Sequence, residues 1–491
     1  MEILKIAGLR AGAGDVHPVT DRGALRRLLK QTRPDLIHCL DLPAAHLAIR
    51  FAKAYPVLVS LSREDLDGPE LAKLGKRLRF FLVPDSECRG RLLRQGHMVS
   101  GIFLAGESSP GSVYNTIRRH FLRKRPYDIA LAGYYGFGNF GDDLILHTLI
   151  QQLRLRRPDI SIVALTRDPV GTMEKFDVDC IHRFKFLPLL RTLRQCGCYA
   201  CGGGTLLTDA ASRRSLAYYA YMLVLAKKMG LTTMLLANGI GPADHPKSPA
   251  LVTKALRHTD YITLRDRKSM ALARELGFGD RAVLTSDLAV LFAPRNSALT
   301  QRENLLASRN LTTKGYFVVS IRPWKDAAPD LARSVARGCD QAARLTGLTP
   351  VLLPTQPEKD LGLSRQVLDA MTVPAVLFDR ECTDAHVLYT MIAASAFCVS
   401  MRLHPLICAF AAGLPTLGLS YDQKVPAFLT DSRSGTWLDV KDLTEEDLLG
   451  AMEDLAKTVG SRDPDPVHLS NMRRSIADAL DRAVEIMDQN S

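Results

Sequence analysis

The chain has 491 residues, 46% of them hydrophobic and 24% charged, with a net charge of +12. That length exceeds one ordinary core and the composition is globular, which excludes disordered and fibrous classes and predicts two or three domains. The longest apolar runs, such as 218–226, fall short of the roughly 18 residues a membrane helix needs, and Met1-Glu2-Ile3-Leu4-Lys5 does not read as a signal peptide, so a cytoplasmic protein is expected.

Short apolar strands alternate with amphipathic helices from end to end, the signature of open parallel α/β sheets. In a first block, strands are expected at 3–7, 35–39, 57–60 and 80–84, with helical runs such as 44–54 between them. The Arg-rich stretch 118–125, followed by Pro126, reads as a linker. A nucleic-acid partner needs such charge interleaved with aromatics on one face, and that pattern is missing. The plain reading is a solvated linker. The sharper one is peripheral contact with an anionic membrane at the inner face, or with lipid-linked substrates.

A second block is predicted to carry strands at 127–132, 161–165, 198–201, 233–236, 261–264 and 282–284. A third begins near Tyr316, with strands at 317–321, 349–353, 375–378, 397–400 and 416–419. Helices near 445–458 and 472–487 close the chain in a polar, acidic tail. The expected domains are therefore 1–120, 127–295, 315–440 and a helical tail 441–491. Two Rossmann-like halves would bind ligands at the carboxyl ends of their strands. The ten cysteines lack disulfide spacing, which suits free thiols in a reducing compartment. Cys196, Cys198 and Cys201 lie in an apparent buried strand with no convincing fourth ligand nearby, so no metal is expected.

The strongest local signal is Gly133-Tyr134-Tyr135-Gly136-Phe137-Gly138-Asn139-Phe140-Gly141-Asp142-Asp143, placed between a strand and a helix expected at 144–155. Glycines such as Gly136 and Gly141 let the backbone approach a ligand, and a helix start offers unpaired N–H groups. The spacing fits G-x-G-x-x-G, but Asp142 and Asp143 would repel a pyrophosphate there, which argues against a dinucleotide. Gly202-Gly203-Gly204-Thr205, ending in Asp209, and Asn238-Gly239-Ile240-Gly241-Pro242 end two further strands in the same way. Together the three loops outline a cleft wall. The third block supplies cations. Arg322 follows a strand, and Arg402 and His404 lie between a strand end and a helix start, with Lys424 further along. Arginine there suits a carboxylate or phosphate, and histidine suits proton exchange.

Taken together, these motifs resemble the polysaccharide pyruvyl transferase family, of the CsaB type that decorates the cell-wall polymers anchoring surface layers. The resembling stretches are 133–143, 201–209, 238–242, 264–269 (Leu264-Arg265-Asp266-Arg267-Lys268-Ser269), 285–289, 400–415 and 420–425 (Ser420-Tyr421-Asp422-Gln423-Lys424-Val425). They run in the family's order over roughly 300 residues. The resemblance implies a GT-B-like fold of two facing Rossmann-like domains. It also implies phosphoenolpyruvate as donor, a hexose hydroxyl pair of a polysaccharide or lipid-linked saccharide as acceptor, and no cofactor. By it, His404 is the candidate acid and Asp142 or Asp209 the base. Arg402, Arg322, Lys424, Arg265, Tyr421, Asn139, Gly136, Gly141, Gly203 and Gly204 are expected to contact substrate. Asp143 replaces a more usual glutamate, and Leu288 stands where a proline often follows Asp287. Residues 1–120 lie outside this match. They resemble the acceptor half of a GT-B glycosyltransferase, a degenerate module expected to aid acceptor recognition.

Two rivals share the pattern. A GT-B sugar-nucleotide glycosyltransferase of cell-envelope synthesis would use similar strand-end loops. A polysaccharide- or lipid-binding scaffold would have lost its site, against which Arg402-x-His404 stands intact.

Overall fold

The computed structural model describes residues 3–7, 16–74, 77–210, 212–379, 382–460 and 465–489. Its contacts divide the chain into two compact units, 1–130 with 161–197, and 131–160 with 198–491.

The first unit is built on a parallel sheet of six strands. Their order is Val16–Pro18, Ile3–Ala7, Leu36–Cys39, Val57–Ser60, Phe80–Val83 and Ile102–Leu104. Three of its helices start where an aspartate accepts a backbone N–H, Asp21 from Ala24, Asp41 from Ala44 and Asp85 from Cys88. Such caps satisfy donors that the first helical turn leaves open. Leu36, Leu58, Phe80 and Phe103 bury themselves against Val113 and Ile117 of the helix Pro110–Leu122.

The division of contacts groups segment 161–197 with this unit, while its strands are hydrogen-bonded into the sheet of the second block, as the pattern of 161–165 predicts. It carries the paired strands Ile162–Thr166 and Asp179–His182. The buried carboxylate of Asp179 accepts from the Ser100 backbone N–H at 2.8 Å, the Ser100 hydroxyl at 2.5 Å and the Tyr127 hydroxyl at 2.6 Å. A buried carboxylate needs such partners, and here they come from the N-terminal part of the chain. Arg89–Asp177 and Arg94–Glu174 ion pairs add to the join. Strand periodicity carries no information about such partners.

The second unit holds two parallel sheets. In one the order is Ala282–Leu284, Tyr261–Leu264, Thr232–Ile240 and Cys196–Gly202, continuing through Tyr127–Ala132 to Ile162–Thr166 and Asp179–His182. The short strand Thr205–Leu207 pairs with the end of Thr232–Ile240. The cysteines of Cys196–Gly202 are buried on it. The other sheet runs Val376–Leu377, Thr349–Leu352, Tyr316–Ser320, Cys398–Ser400, Thr416–Ser420 and Thr436–Asp439. Strand order reverses between Tyr316–Ser320 and Cys398–Ser400, and a crevice opens at the carboxyl ends of two such strands. The rings of Phe317 and Phe397 stack beneath it, centroids 4.5 Å apart.

The C-terminal segment is part of this unit. Helix Glu445–Lys457 packs on Leu331–Thr346, and Pro466–Gln489 packs on Phe140–Arg156 and on Thr232–Ile240. Arg473 ties the last helix to the Val290 and Ala411 carbonyls at 3.1 and 3.0 Å.

Candidate active site

Arg322 and Arg402 each stand two residues beyond a strand at that switch point, so topology alone brings them to the same crevice. Arg402 is buried and occupies the N-cap of the helix Leu403–Ala411, which has no side-chain cap. Its guanidinium donates to Asp360 at 2.5 Å and to Gln356 at 3.2 Å. Arg322 donates to the Tyr421 hydroxyl at 3.1 Å and lies over the Tyr421 ring at 4.8 Å. At the start of the helix Lys424–Ser432 the Asp422 carboxylate accepts from the N–H of Lys424, its first residue, at 2.9 Å. The uncapped start of the helix Leu403–Ala411 and three cations make this rim receptive to an anion.

The glycine loops frame the other side. Gly203 and Gly204 hold φ of +64° and +70°, which side-chain-bearing residues rarely adopt. A Cβ at Gly204 would touch Leu206 Cδ2 and Asp142 Oδ1, at 3.7 and 3.8 Å. Asn139 caps the helix Phe140–Arg156, accepting from Gly141 N–H, and donates to the Asp142 carboxylate. Gly141 has a role of its own. A Cβ there would lie 2.0 Å from His404 Nδ1, so the missing side chain is the space the imidazole occupies. Gly203 similarly makes room for Ile145. These two glycines therefore serve side-chain packing.

Electrostatics link the group. Burial pushes the His404 imidazole down to about 4, with Arg265, Lys424 and Arg402 adding to the shift and Asp287 opposing it. Burial pushes the Asp142 carboxyl up to about 7, helped by the neighbouring charge of Asp143. Its hydrogen bond from Asn139 and the charges of Lys424 and Arg265 pull the other way. The Lys424 side chain is 46% exposed, yet the protein around it strips part of its hydration. That desolvation, and after it the charge of Arg265, lowers its pKa against the pull of Asp422. Arg265 is buried, donating to Asp287 at 2.7 Å and Thr205 at 2.8 Å. Burial works against its charge and is outweighed by Asp287 and Asp266.

Three buried nitrogens here lack a hydrogen-bond partner among the described residues, namely His404 Nε2, Arg402 Nε and Arg322 Nε. Unpaired buried polar atoms are rare in folded proteins, and a cluster of them at a switch point marks a place for a polar ligand. A cavity of about 490 Å³ adjoins the site, lined by Tyr421, Asp422, Gln423, Trp437, Arg267 and Lys268.

His404, Asp142, Arg402, Arg322, Lys424, Arg265, Tyr421, Asn139, Gly141 and Gly204 thus fall in one neighbourhood. Gly136, at φ +76°, turns the loop before them. Asp209 is engaged elsewhere. It accepts from the His245 and Asp244 N–H groups at 2.9 and 3.3 Å. Burial raises its pKa, but the nearby Ser248 hydroxyl and the hydrogen bonds from the His245 and Asp244 N–H groups outweigh that and leave it lowered. Sequence reasoning had not singled out Asp287, Gln356 or Asp360. Gln356 follows the strand Thr349–Leu352, so the strand-end rule applied to Arg322 and Arg402 would have reached it.

A family model described as polysaccharide pyruvyl transferase matches residues 139–423, more than half of the chain. No curated protein sequence matches significantly. Among solved structures, the UDP-GlcNAc 2-epimerase of Methanocaldococcus jannaschii aligns with a TM-score of 0.52 at 11% identity, covering 74% of this chain and 99% of that one. The UDP-GlcNAc 2-epimerase of Neisseria meningitidis gives 0.49 at 11% identity, over 74% and 100%. The wall teichoic acid polymerase TagF gives 0.43 at 12%, over 74% and 88%. At such identities the first of these shows likeness of fold alone. The fold is α/β with parallel sheets, and GT-B-like.

Proposed function

Because the chain belongs to the polysaccharide pyruvyl transferase family, we propose that it moves the pyruvyl group of phosphoenolpyruvate onto two hydroxyls of a hexose as a ketal, releasing phosphate. The observation that carries this reading is the set of unpaired buried nitrogens on Arg322, Arg402 and His404 at the switch point. A small anion with a carboxylate and a phosphate matches two guanidinium groups, an ammonium and one open helix start. The acceptor is a saccharide of a cell-surface polymer precursor, and Trp437 at the adjoining cavity offers a flat apolar face to it.

In the reaction the enol methylene gains a proton while a sugar oxygen bonds to the central carbon. Phosphate then leaves with its bonding pair, and the second hydroxyl closes the ketal. Of the two hydroxyl protons, one ends on the new methyl group and the other on phosphate. The opposed shifts of the proton-carrying pair suggest who acts. Near neutrality Asp142, at about 7, holds a proton it can deliver. His404, at about 4, is a neutral imidazole able to accept one from a hydroxyl. This reverses the roles expected from sequence. The earlier assignment, His404 as acid, keeps one observation in its favour. The charges of Arg265, Lys424 and Arg402 hold its pKa down, and an anionic donor would offset them.

Proton balance at pH 6 separates the two assignments. Donor binding measured calorimetrically in buffers of different ionisation enthalpy should show equal proton uptake in wild type and His404→Gln if Asp142 is the acid. About one extra proton taken up by wild type alone would assign the acid to His404. For the transfer itself, phosphate should appear from phosphoenolpyruvate only with a saccharide acceptor, together with a ketal methyl signal in the product. Transfer of a sugar from a nucleotide sugar to the same acceptors would replace this reading with a glycosyltransferase.

A further inference from the structure

The first unit contains a cavity of about 1580 Å³ to which neither the family motifs nor the proposed transfer assigns a role. Its floor is apolar, formed by the buried Leu66, Leu71, Leu78, Phe80 and Tyr127. Its rim carries Arg77, Arg79, Arg123 and Lys124, all exposed. A neighbouring recess of about 490 Å³ shares Arg77 and Arg79 and adds Arg50 and Lys53. None of these six cations has an ion pair among the described residues. The single acidic residue on the lining, Asp67, is already paired with Arg91.

Two features narrow what such a cavity takes. Phe80 and Tyr127 are the first residues of their strands, so the cavity opens at strand amino ends. Ligands of open α/β sheets sit at carboxyl ends, so this is not a nucleotide crevice. Unopposed like charges around an apolar hollow raise the local concentration of anions, and the floor offers burial to carbon. Neither a purely ionic nor a purely apolar ligand uses both.

We propose that this cavity binds the phosphate or diphosphate headgroup of an amphiphile, with the rim cations holding the anion and the leucine-lined floor taking the first carbons of its tail. The site goes beyond the transfer proposed for the second unit and does not rest on it. Its natural source is either a lipid-linked phosphate or a soluble phosphate ester.

Calorimetric titration of the full chain with farnesyl diphosphate, inorganic pyrophosphate and farnesol separates the contributions. Farnesyl diphosphate is expected to bind at least tenfold more tightly than pyrophosphate, farnesol not measurably, and affinity to fall with added salt. The Arg79→Ala/Arg123→Ala double variant should lose farnesyl diphosphate binding at unchanged melting temperature, while Arg402→Ala in the second unit should keep it. Binding untouched by the double variant overturns the assignment. Equal binding of farnesol removes the anion from it, and equal binding of pyrophosphate removes the tail. Retention on phosphatidylglycerol vesicles without binding of soluble farnesyl diphosphate would replace it with a membrane-facing surface.

Discussion

The cavity of the first unit and the crevice of the second handle positive charge in opposite ways. In the second, Arg265 and Arg402 are buried, and each holds a carboxylate within 2.7 Å, Asp287 and Asp360 respectively. In the first, Arg79, Arg123 and Lys124 are exposed around a cavity without such partners among the described residues. A buried cation must be fixed by its partners before any ligand arrives, which makes it both a structural part and a preorganised one. An exposed, unpaired cation adds little to folding and acts on ligands through a field that salt screens.

Four substitutions test that contrast, from the largest effect down. Arg265→Ala strands Asp287 in the interior, and unfolding curves should show a loss of about 3–5 kcal/mol. A loss below 1 kcal/mol would place the pair among the dispensable ones. Gly141→Ala drives a methyl group into the His404 ring, so turnover should fall by roughly 10² or more, the scale of losing a positioned proton-transfer group. Normal turnover in a folded Gly141→Ala protein would show that the imidazole position does not matter.

Asp142→Asn should abolish turnover and yet stabilise the protein above neutral pH. The folded-state pKa, raised to about 7 from 3.8, favours the protonated form, so the carboxylate's cost to stability grows from pH 4 to pH 7 and is full above that. At pH 8 the melting temperature should rise by about 2–4 °C, falling to no difference near pH 4. A lower melting temperature at pH 8 would mean that Asp142 is not held against its charge. Arg79→Ala, at the other extreme, should change stability by no more than about 0.5 kcal/mol. A larger loss would reveal a structural partner and erase the distinction between the cavity and the crevice.

Much of the architecture was legible because strands of parallel sheets are buried on both faces and read as continuous apolar runs. Tyr127–Ala132 and Tyr316–Ser320 are such runs. Val16–Pro18, Ile102–Leu104, Asp179–His182, Thr205–Leu207 and Thr436–Asp439 were missed, each only three or four residues long. The contacts that group 161–197 with the N-terminal unit include hydrogen bonds to Asp179 that span about 50 to 80 residues, beyond any local pattern. At the site, strand-end placement found Arg322, Arg402 and His404. It overstated the glycines, since Gly141 and Gly203 clear space for His404 and Ile145. It also could not assign proton states, because those follow from which charges gather in space. The first helix turn looked merely acidic until burial and Asp143 were seen to act on Asp142.

The central claim is that the crevice at Arg322, Arg402 and His404 is a site for phosphoenolpyruvate. Isothermal titration of the full chain with phosphoenolpyruvate and, separately, with UDP-GlcNAc tests it most directly. The account predicts saturable phosphoenolpyruvate binding that weakens at least tenfold in Arg402→Lys, where charge stays but the planar fork is lost, and no comparable binding of UDP-GlcNAc. Tight UDP-GlcNAc binding with none of phosphoenolpyruvate, or phosphoenolpyruvate binding indifferent to Arg402→Lys, would contradict it.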